Sequence, residues 1–194
     1  PAMVQDVASL HQTAEAALEA QEAARRSRQL AEQGREQMAQ ARRDAQGQDA
    51  SHYAHAVWSG AEAKAADAQA QFVHEAYAEA SQAFALAATA YRQAQEAARE
   101  ARVRERESAD RAREQMVQSH QQAQEADAAR YARELWDTAD AKSAEAQAAY
   151  SRRSLAHAIR AFDEASLRYR QATEAAREGR QQERRRAEEA RGRV

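Results

Sequence analysis

The chain repeats itself, and this internal duplication is the feature that most restricts its fold. At a constant offset of 78 residues, with no gap, residues 26–103 and 104–181 are identical at 37 positions. The copies share the only two Trp of the chain, Trp58 and Trp136, and its only two Lys, Lys64 and Lys142. Duplication at a fixed period is the signature of proteins that use one structural unit more than once. We therefore expect two copies of one unit.

Both ends of the chain fall outside these two repeats. The segment Glu19–Arg25 resembles Gln93–Arg99, so residues 1–25 are predicted to be the end of a preceding repeat. The opening Pro-Ala-Met is typical of a protease-and-cloning remnant, and we expect that an upstream segment has been removed. Residues 182–194 are predicted to be a frayed helical tail.

The composition predicts an all-α protein. There are 55 Ala among 194 residues, but only 15 Leu, Ile and Val together. Ala, Glu, Gln and Arg favour helices, and the helix breakers are few, with five Gly and one Pro. So few large aliphatic side chains cannot fill a conventional globular core, whereas long helices can pack closely through Ala.

Apolar residues at heptad spacing predict an antiparallel helical hairpin in each repeat. Turns at 73–76 and 151–154 would bring Trp58 against Tyr91 and Trp136 against Tyr169. In the same register Phe72 meets Tyr77, and Tyr150 meets Leu155. The predicted structural anchors are Trp58, Phe72, Phe84, Tyr91, Trp136, Tyr150, Phe162 and Tyr169.

The spacing of helix breakers predicts three long helices, over about residues 4–72, 77–150 and 155–190. The middle one would be about 110 Å long if unbroken. The sequence leaves open a break of this helix near residues 103–130 and a local kink of the first helix near Gly47–Asp49. Together they are expected to form an elongated three-helix bundle or coiled-coil rod. Its 37–112 half would hold only two helices, which makes that half a candidate surface for a homodimer.

The residues that could act in catalysis or bind a cofactor do not form a recognisable motif. The chain has no Cys, and its carboxylates stand beside Arg at helical spacing, which is typical of a solvated helix surface. His52 and His55, three residues apart, are a weak candidate metal pair that lacks a third ligand. Their counterparts are Arg130 and Arg133, and His120 likewise matches Arg42, which favours solvated basic positions for all three His. We expect neither enzymatic activity nor a cofactor.

Lys64 and Lys142 are the candidate partner contacts. Every other basic residue except the His is Arg, yet both repeats have Lys here. One interpretation places the Lys stem over Phe84 or Phe162, with Asp67 or Glu145 as an ion-pair partner. The other is a repeated contact point for an acidic partner.

The charge balance excludes two classes of partner. The formal net charge is -2, with 29 basic and 31 acidic residues interleaved. A nucleic-acid or anionic-membrane surface would be more one-sided. Separately, no apolar run approaches the roughly 20 residues of a membrane span. We expect protein partners, no nucleic acid and no transmembrane segment.

The repeated pattern resembles a group of Ala-rich helical-hairpin repeat proteins of bacteria, uncharacterised and often envelope proteins or lipoproteins. The residues that carry the resemblance are Trp58, Ala61, Phe84, Ala87 and Tyr91, with Trp136, Ala139, Phe162, Ala165 and Tyr169. The customary Gly-containing turn is missing at 73–76 and 151–154. The chain is also similar to spectrin-type bundles in sharing helices between units. These resemblances imply a scaffold or spacer.

We therefore expect a non-enzymatic scaffold or spacer that mediates protein–protein contact or self-association. One alternative is an amphipathic coat on lipid or polymer granules. Another is a carrier of small molecules or metals between its helices. For its location, we favour the bacterial envelope or periplasm over the cytoplasm.

Overall fold

The computed structural model describes the backbone of residues 2–192 and the side chains of residues 11–192, and it is all-α. No β-strand occurs within those backbone residues. The helices are α1 (Ala2–Gly47), α2 (Ala50–Tyr53), α3 (His55–Val73), α4 (Tyr77–Glu125), α5 (Ala128–Tyr131), α6 (Arg133–Ser151) and α7 (Leu155–Gly192). The chain divides into two compact units, Pro1–Arg102 (unit 1) and Val103–Val194 (unit 2).

In unit 1, three long helices run up, down and up. Side chains far apart in sequence meet between α1 and α3, where Arg42 Nε lies 2.8 Å from Glu62 Oε1 and Arg35 lies over Phe72. These contacts make α1 and α3 antiparallel. The turn after Val73 reverses the chain again, so α4 runs antiparallel to α3 and beside α1.

Unit 2 has the same order of helices. The part of α4 after residue 102 runs antiparallel to α6, and Ser143 Oγ donates to Met116 Sδ at 3.5 Å. The first part of α7 then returns alongside α4, where the Ser119 and Ser166 hydroxyls are 2.8 Å apart and buried. Each unit is therefore a three-helix bundle, and α4 contributes helix to both units.

Alanine forms most of the buried core in both units. The largest fully buried side chains are Phe84 and Tyr91 in unit 1 and Phe162 and Tyr169 in unit 2. Small side chains allow helix axes to approach to about 8 Å, the short end of the usual range. At this spacing the interior has little room for large side chains. Only a few aromatic residues are therefore accommodated, and they complete the core.

The turns between α3 and α4 and between α6 and α7 lie where the sequence predicts them. Each is a Schellman-type helix end, in which the residue after the cap is left-handed. In unit 1 Glu75 has φ 61°, and Ala76 N donates to Gln71 O at 3.0 Å. In unit 2 Arg153 has φ 61°, and Ser154 N donates to Ala149 O at 3.0 Å. Non-glycine residues therefore occupy a position that usually favours Gly.

Residues 77–150 do not form one continuous helix, and the chain breaks within the 103–130 range that the sequence left open. Helix α4 ends at Glu125, and α6 begins at Arg133 after the single turn of α5. Asp127 lies in the left-handed region with φ 60° and ψ 40°. Asp is one of the few residues other than Gly that adopts this conformation readily. The chain reverses here without Gly or Pro.

The predicted first helix, residues 4–72, ends early for the same reason. Helix α1 stops at Gly47, and Asp49 is left-handed with φ 57° and ψ 40°. A second break follows each short helix, at Ala54 with φ -135° and at Ala132 with φ -141°. The sequence left open a kink near Gly47–Asp49 and a break near 103–130, but it did not predict that the chain reverses at either place, so it placed the 37–112 half in a two-helix section. Each unit instead contains three long helices, so the predicted two-helix section over residues 37–112 is not present.

Candidate functional site

An aromatic and charged cluster joins the three helices of unit 1. The Trp58 ring of α3 lies 5.2 Å from that of Tyr91 in α4, as the predicted register requires. The Tyr91 hydroxyl donates to Glu62 at 2.7 Å, and Arg42 of α1 donates two hydrogen bonds to the same carboxylate. Burial, followed by the bond to Glu62, raises the pKa of Tyr91 well above its ordinary value. This cluster binds all three helices together.

Unit 2 builds the same cluster with one important exchange. Trp136 lies 5.5 Å from Tyr169, whose hydroxyl donates to Asp140. Burial, followed by this bond, raises the pKa of Tyr169. His120 takes the position of Arg42, and its half-buried ring lies 5.0 Å from both aromatic rings. The sequence prediction of a solvated basic position therefore fails for His120, which packs against the core.

The remaining predicted anchors form a second aromatic layer nearer the turns. In unit 1, Phe72 lies 5.4 Å from Tyr77 and 6.1 Å from Phe84. In unit 2, Tyr150 lies 6.2 Å from Phe162, and its hydroxyl donates to Asp110 of α4. That bond to Asp110 is the main cause of the raised pKa of Tyr150. These residues act in packing.

The reversal after α4 is held by the end of α7. Arg180 of α7 donates to the carbonyl oxygen of Ala126 at 2.6 Å and lies over the Tyr131 ring. The Tyr131 hydroxyl donates to Glu183, and this bond is the main cause of its raised pKa. The reversal therefore depends on α7, which lies about 50 residues away in sequence. Local sequence patterns cannot predict a contact between residues so far apart in the chain.

The candidate interaction site lies on the faces that contain the two predicted contact residues. In unit 2, Lys142 Nζ bridges two carboxylates, at 3.0 Å from Glu145 and 3.3 Å from Glu164. The predicted Lys142–Glu145 pair is present. A shallow depression of about 270 Å³ lies beside it, lined by Glu145, His157, Arg160, Ala161 and Glu164. We call this surface, with Lys142, the α6–α7 face.

Charge pairing favours the ionised forms of Lys142, Glu145 and Glu164 on the α6–α7 face. Hydrogen bonds to Glu145 and then Glu164 raise the pKa of Lys142. His157 and then Lys142 lower the pKa of Glu145, and Arg168 and then Lys142 lower that of Glu164. These directions move the groups away from proton transfer near neutral pH, where an acid–base catalyst would need its pKa. The arrangement is suited to charge recognition.

The corresponding surface of unit 1 has a different composition. We call it the α3–α4 face, and it comprises Lys64, Asp67, Glu79, Ala83 and Leu86. Leu86 stands where unit 2 has Glu164, and its side chain is 63% exposed. Within the described side chains, Lys64 makes no ion pair, so the predicted pair with Asp67 does not form. The cation is exposed beside an exposed leucine.

The candidate metal pair is not on one continuous helix. Helix α2 ends at Tyr53 and α3 begins at His55, so the break at Ala54 separates His52 from His55. The His52 ring packs on Tyr53, and His55 Nδ1 lies 3.2 Å from Ser51 O. Among the described side chains, no group of three or more His, Cys, Asp or Glu residues is placed to hold a metal ion.

None of the described helices combines the length and the apolar character that a bilayer span requires.

Comparison of the chain with protein-family models, with curated proteins and with solved structures gave no match.

Proposed function

We propose that the protein is a non-enzymatic helical-repeat scaffold that acts through protein–protein contacts, including contact with copies of itself. The observation that carries this proposal is the contrast between its two units. They use the same helix order and the same buried aromatic positions, but their outer faces differ. Proteins built from repeats commonly keep a common framework and use their exposed surfaces for binding.

The chemistry of the exposed groups supports the same proposal. The paired charges of the α6–α7 face are held ionised, and the depression beside them is shallow. Binding pockets for small molecules usually enclose most of the ligand in an apolar cavity. Partly exposed charges beside small side chains are more typical of the rim of a protein interface.

Site-specific photo-crosslinking in cells that produce the protein tests this proposal. A photoreactive residue at position 86 samples the α3–α4 face, one at position 160 samples the α6–α7 face, and one at exposed Arg92 is the control. We expect discrete protein adducts from positions 86 or 160 that exceed those from position 92. Equal labelling from all three positions would contradict an interaction scaffold.

Vesicle flotation separates the proposal from the alternative of an amphipathic coat. A coat protein would open its bundles and place apolar helix faces on the lipid surface. We expect the chain to remain unbound with both neutral and anionic vesicles. Flotation of the chain with vesicles, together with loss of the Trp58 and Trp136 environments in fluorescence, would favour the coat.

A further inference from the structure

We propose that the α3–α4 face of unit 1 is a homodimer interface that docks on the same face of a second copy. This inference rests on the proposed function and names the partner of one surface. Its basis is the exposed Leu86 together with charges on the same face that lack ion-pair partners within the described side chains.

The two units provide an internal comparison for this face. In unit 2, Glu164 reaches from α7 to Lys142 and also accepts a bond from Arg168 at 3.3 Å. Both acidic partners of Lys142 come from its own chain. At the corresponding positions unit 1 has Leu86 and Ala90. Lys64 therefore lacks the cross-helix carboxylate that neutralises Lys142, and an apolar side chain is exposed in its place.

The charges of the α3–α4 face are complementary to those of the same face in a second copy. Lys64 lies at one end, and Asp67 with Glu79 lies nearer the turn between α3 and α4. A two-fold axis perpendicular to α3 places Lys64 of each copy opposite the acidic end of the other. Two-fold interfaces are built in this self-complementary way, with every contact made twice.

The apolar part of the face fits the same arrangement. With the axis between Lys64 and Asp67, Ala83 lies close to the axis, and Leu86 of each copy lies over the α4 groove between Glu79 and Ala83 of the other. Ala83 is half-buried, so its small side chain allows a close approach. Burial of Leu86 supplies an apolar contact on either side of the axis, and the charges around it fix the register of the two helices.

Sedimentation equilibrium of the full chain over a wide range of concentration tests the interface, with Leu86→Glu as the principal variant. This change gives Lys64 the carboxylate that Lys142 has in unit 2, so we expect the fold to be retained. The dimer dissociation constant should rise at least about tenfold, because the leucine contact is lost twice per dimer. The control Leu167→Glu changes an exposed leucine of unit 2 and should leave the constant unchanged.

Charge exchange tests the pairing itself. Lys64→Asp and Asp67→Lys should each weaken self-association, because they place like charges opposite each other. An equimolar mixture of these two variants should recover a dimer, since every contact between unlike copies again joins opposite charges.

Three results would overturn the inference. The first is a monomer mass at all concentrations, and the second is a dimer that Leu86→Glu leaves unchanged. The third is a mixture of the two charge variants that does not recover the dimer. A dimer insensitive to all of these changes would overturn this interface but would still agree with the scaffold proposal, whereas equal photo-crosslinking from positions 86, 160 and 92 would contradict both.

Discussion

Two non-glycine residues in left-handed conformations make the clearest stability prediction. Glu75 and Arg153 each follow a helix end with φ 61°, and both side chains are exposed. A left-handed conformation costs a residue with a Cβ about 1–2 kcal/mol relative to Gly. The greater freedom of Gly in the unfolded chain offsets about 0.5–1 kcal/mol of that gain. Glu75→Gly and Arg153→Gly should therefore each raise the free energy of unfolding by about 0.5–1 kcal/mol.

Urea denaturation followed by far-UV circular dichroism measures this effect. The matched controls are Glu96→Gly in α4 and Arg170→Gly in α7, which are exposed positions inside helices. Gly at such a position should lower the free energy of unfolding by about 1 kcal/mol. The sign of the change in the free energy of unfolding therefore distinguishes a turn position from a position inside a helix. If Glu75→Gly or Arg153→Gly destabilised the protein as much as its control, the helices would have to continue through these turns.

Three further predictions concern the aromatic clusters. The pKa of both Tyr91 and Tyr169 is raised in the folded protein, so the unfolded chain loses these protons first as pH rises. The free energy of unfolding should be unaffected by pH below about pH 10 and should fall above it. The double variant Tyr91→Phe, Tyr169→Phe should show a smaller fall in denaturation curves measured across alkaline pH. His120→Ala should lower the free energy of unfolding by about 1–2 kcal/mol, because it removes two ring contacts, whereas the control Gln118→Ala should change it by less than about 0.5 kcal/mol. Phe162→Ala should cost about 3–5 kcal/mol in the same denaturation assay, since it opens a cavity among alanines that cannot fill it. A flat alkaline profile in the wild-type chain, or a His120→Ala variant as stable as its control, would contradict the described clusters.

The hairpin register was predictable from sequence because its signals are local and repeated. Large aromatic residues alternate with alanines at heptad spacing, and only one register brings Trp58 and Trp136 to their tyrosine partners. At Asp49 and Asp127 the sequence indicated at most a kink and a helix break, and it did not predict a reversal of the chain, because neither place contains Pro and Asp127 has no Gly nearby. The pairs Asp49-Ala50 and Asp127-Ala128 are identical in both repeats, and this was the available signal.

The candidate site was predictable only in part. The matching positions of Lys64 and Lys142 indicated the α3–α4 and α6–α7 faces as candidates. Their different environments depend on residues of the next helix, Leu86 and Glu164, which come close only after the hairpin forms. The role of His120 was missed for a similar reason, since its aromatic neighbours lie on two other helices.

Distances between paired spin labels test the three-helix unit most directly. The chain contains no Cys, so Glu36→Cys with Gln69→Cys labels α1 and α3 specifically, and Glu114→Cys with Gln147→Cys labels α4 and α6. The members of each pair are 33 residues apart in sequence. If the chain reverses at Asp49 and Asp127, both distances should be below about 30 Å, since neighbouring helix axes lie about 8–10 Å apart. A distance of about 50 Å, the length of an uninterrupted helix between the labels, would contradict the described units.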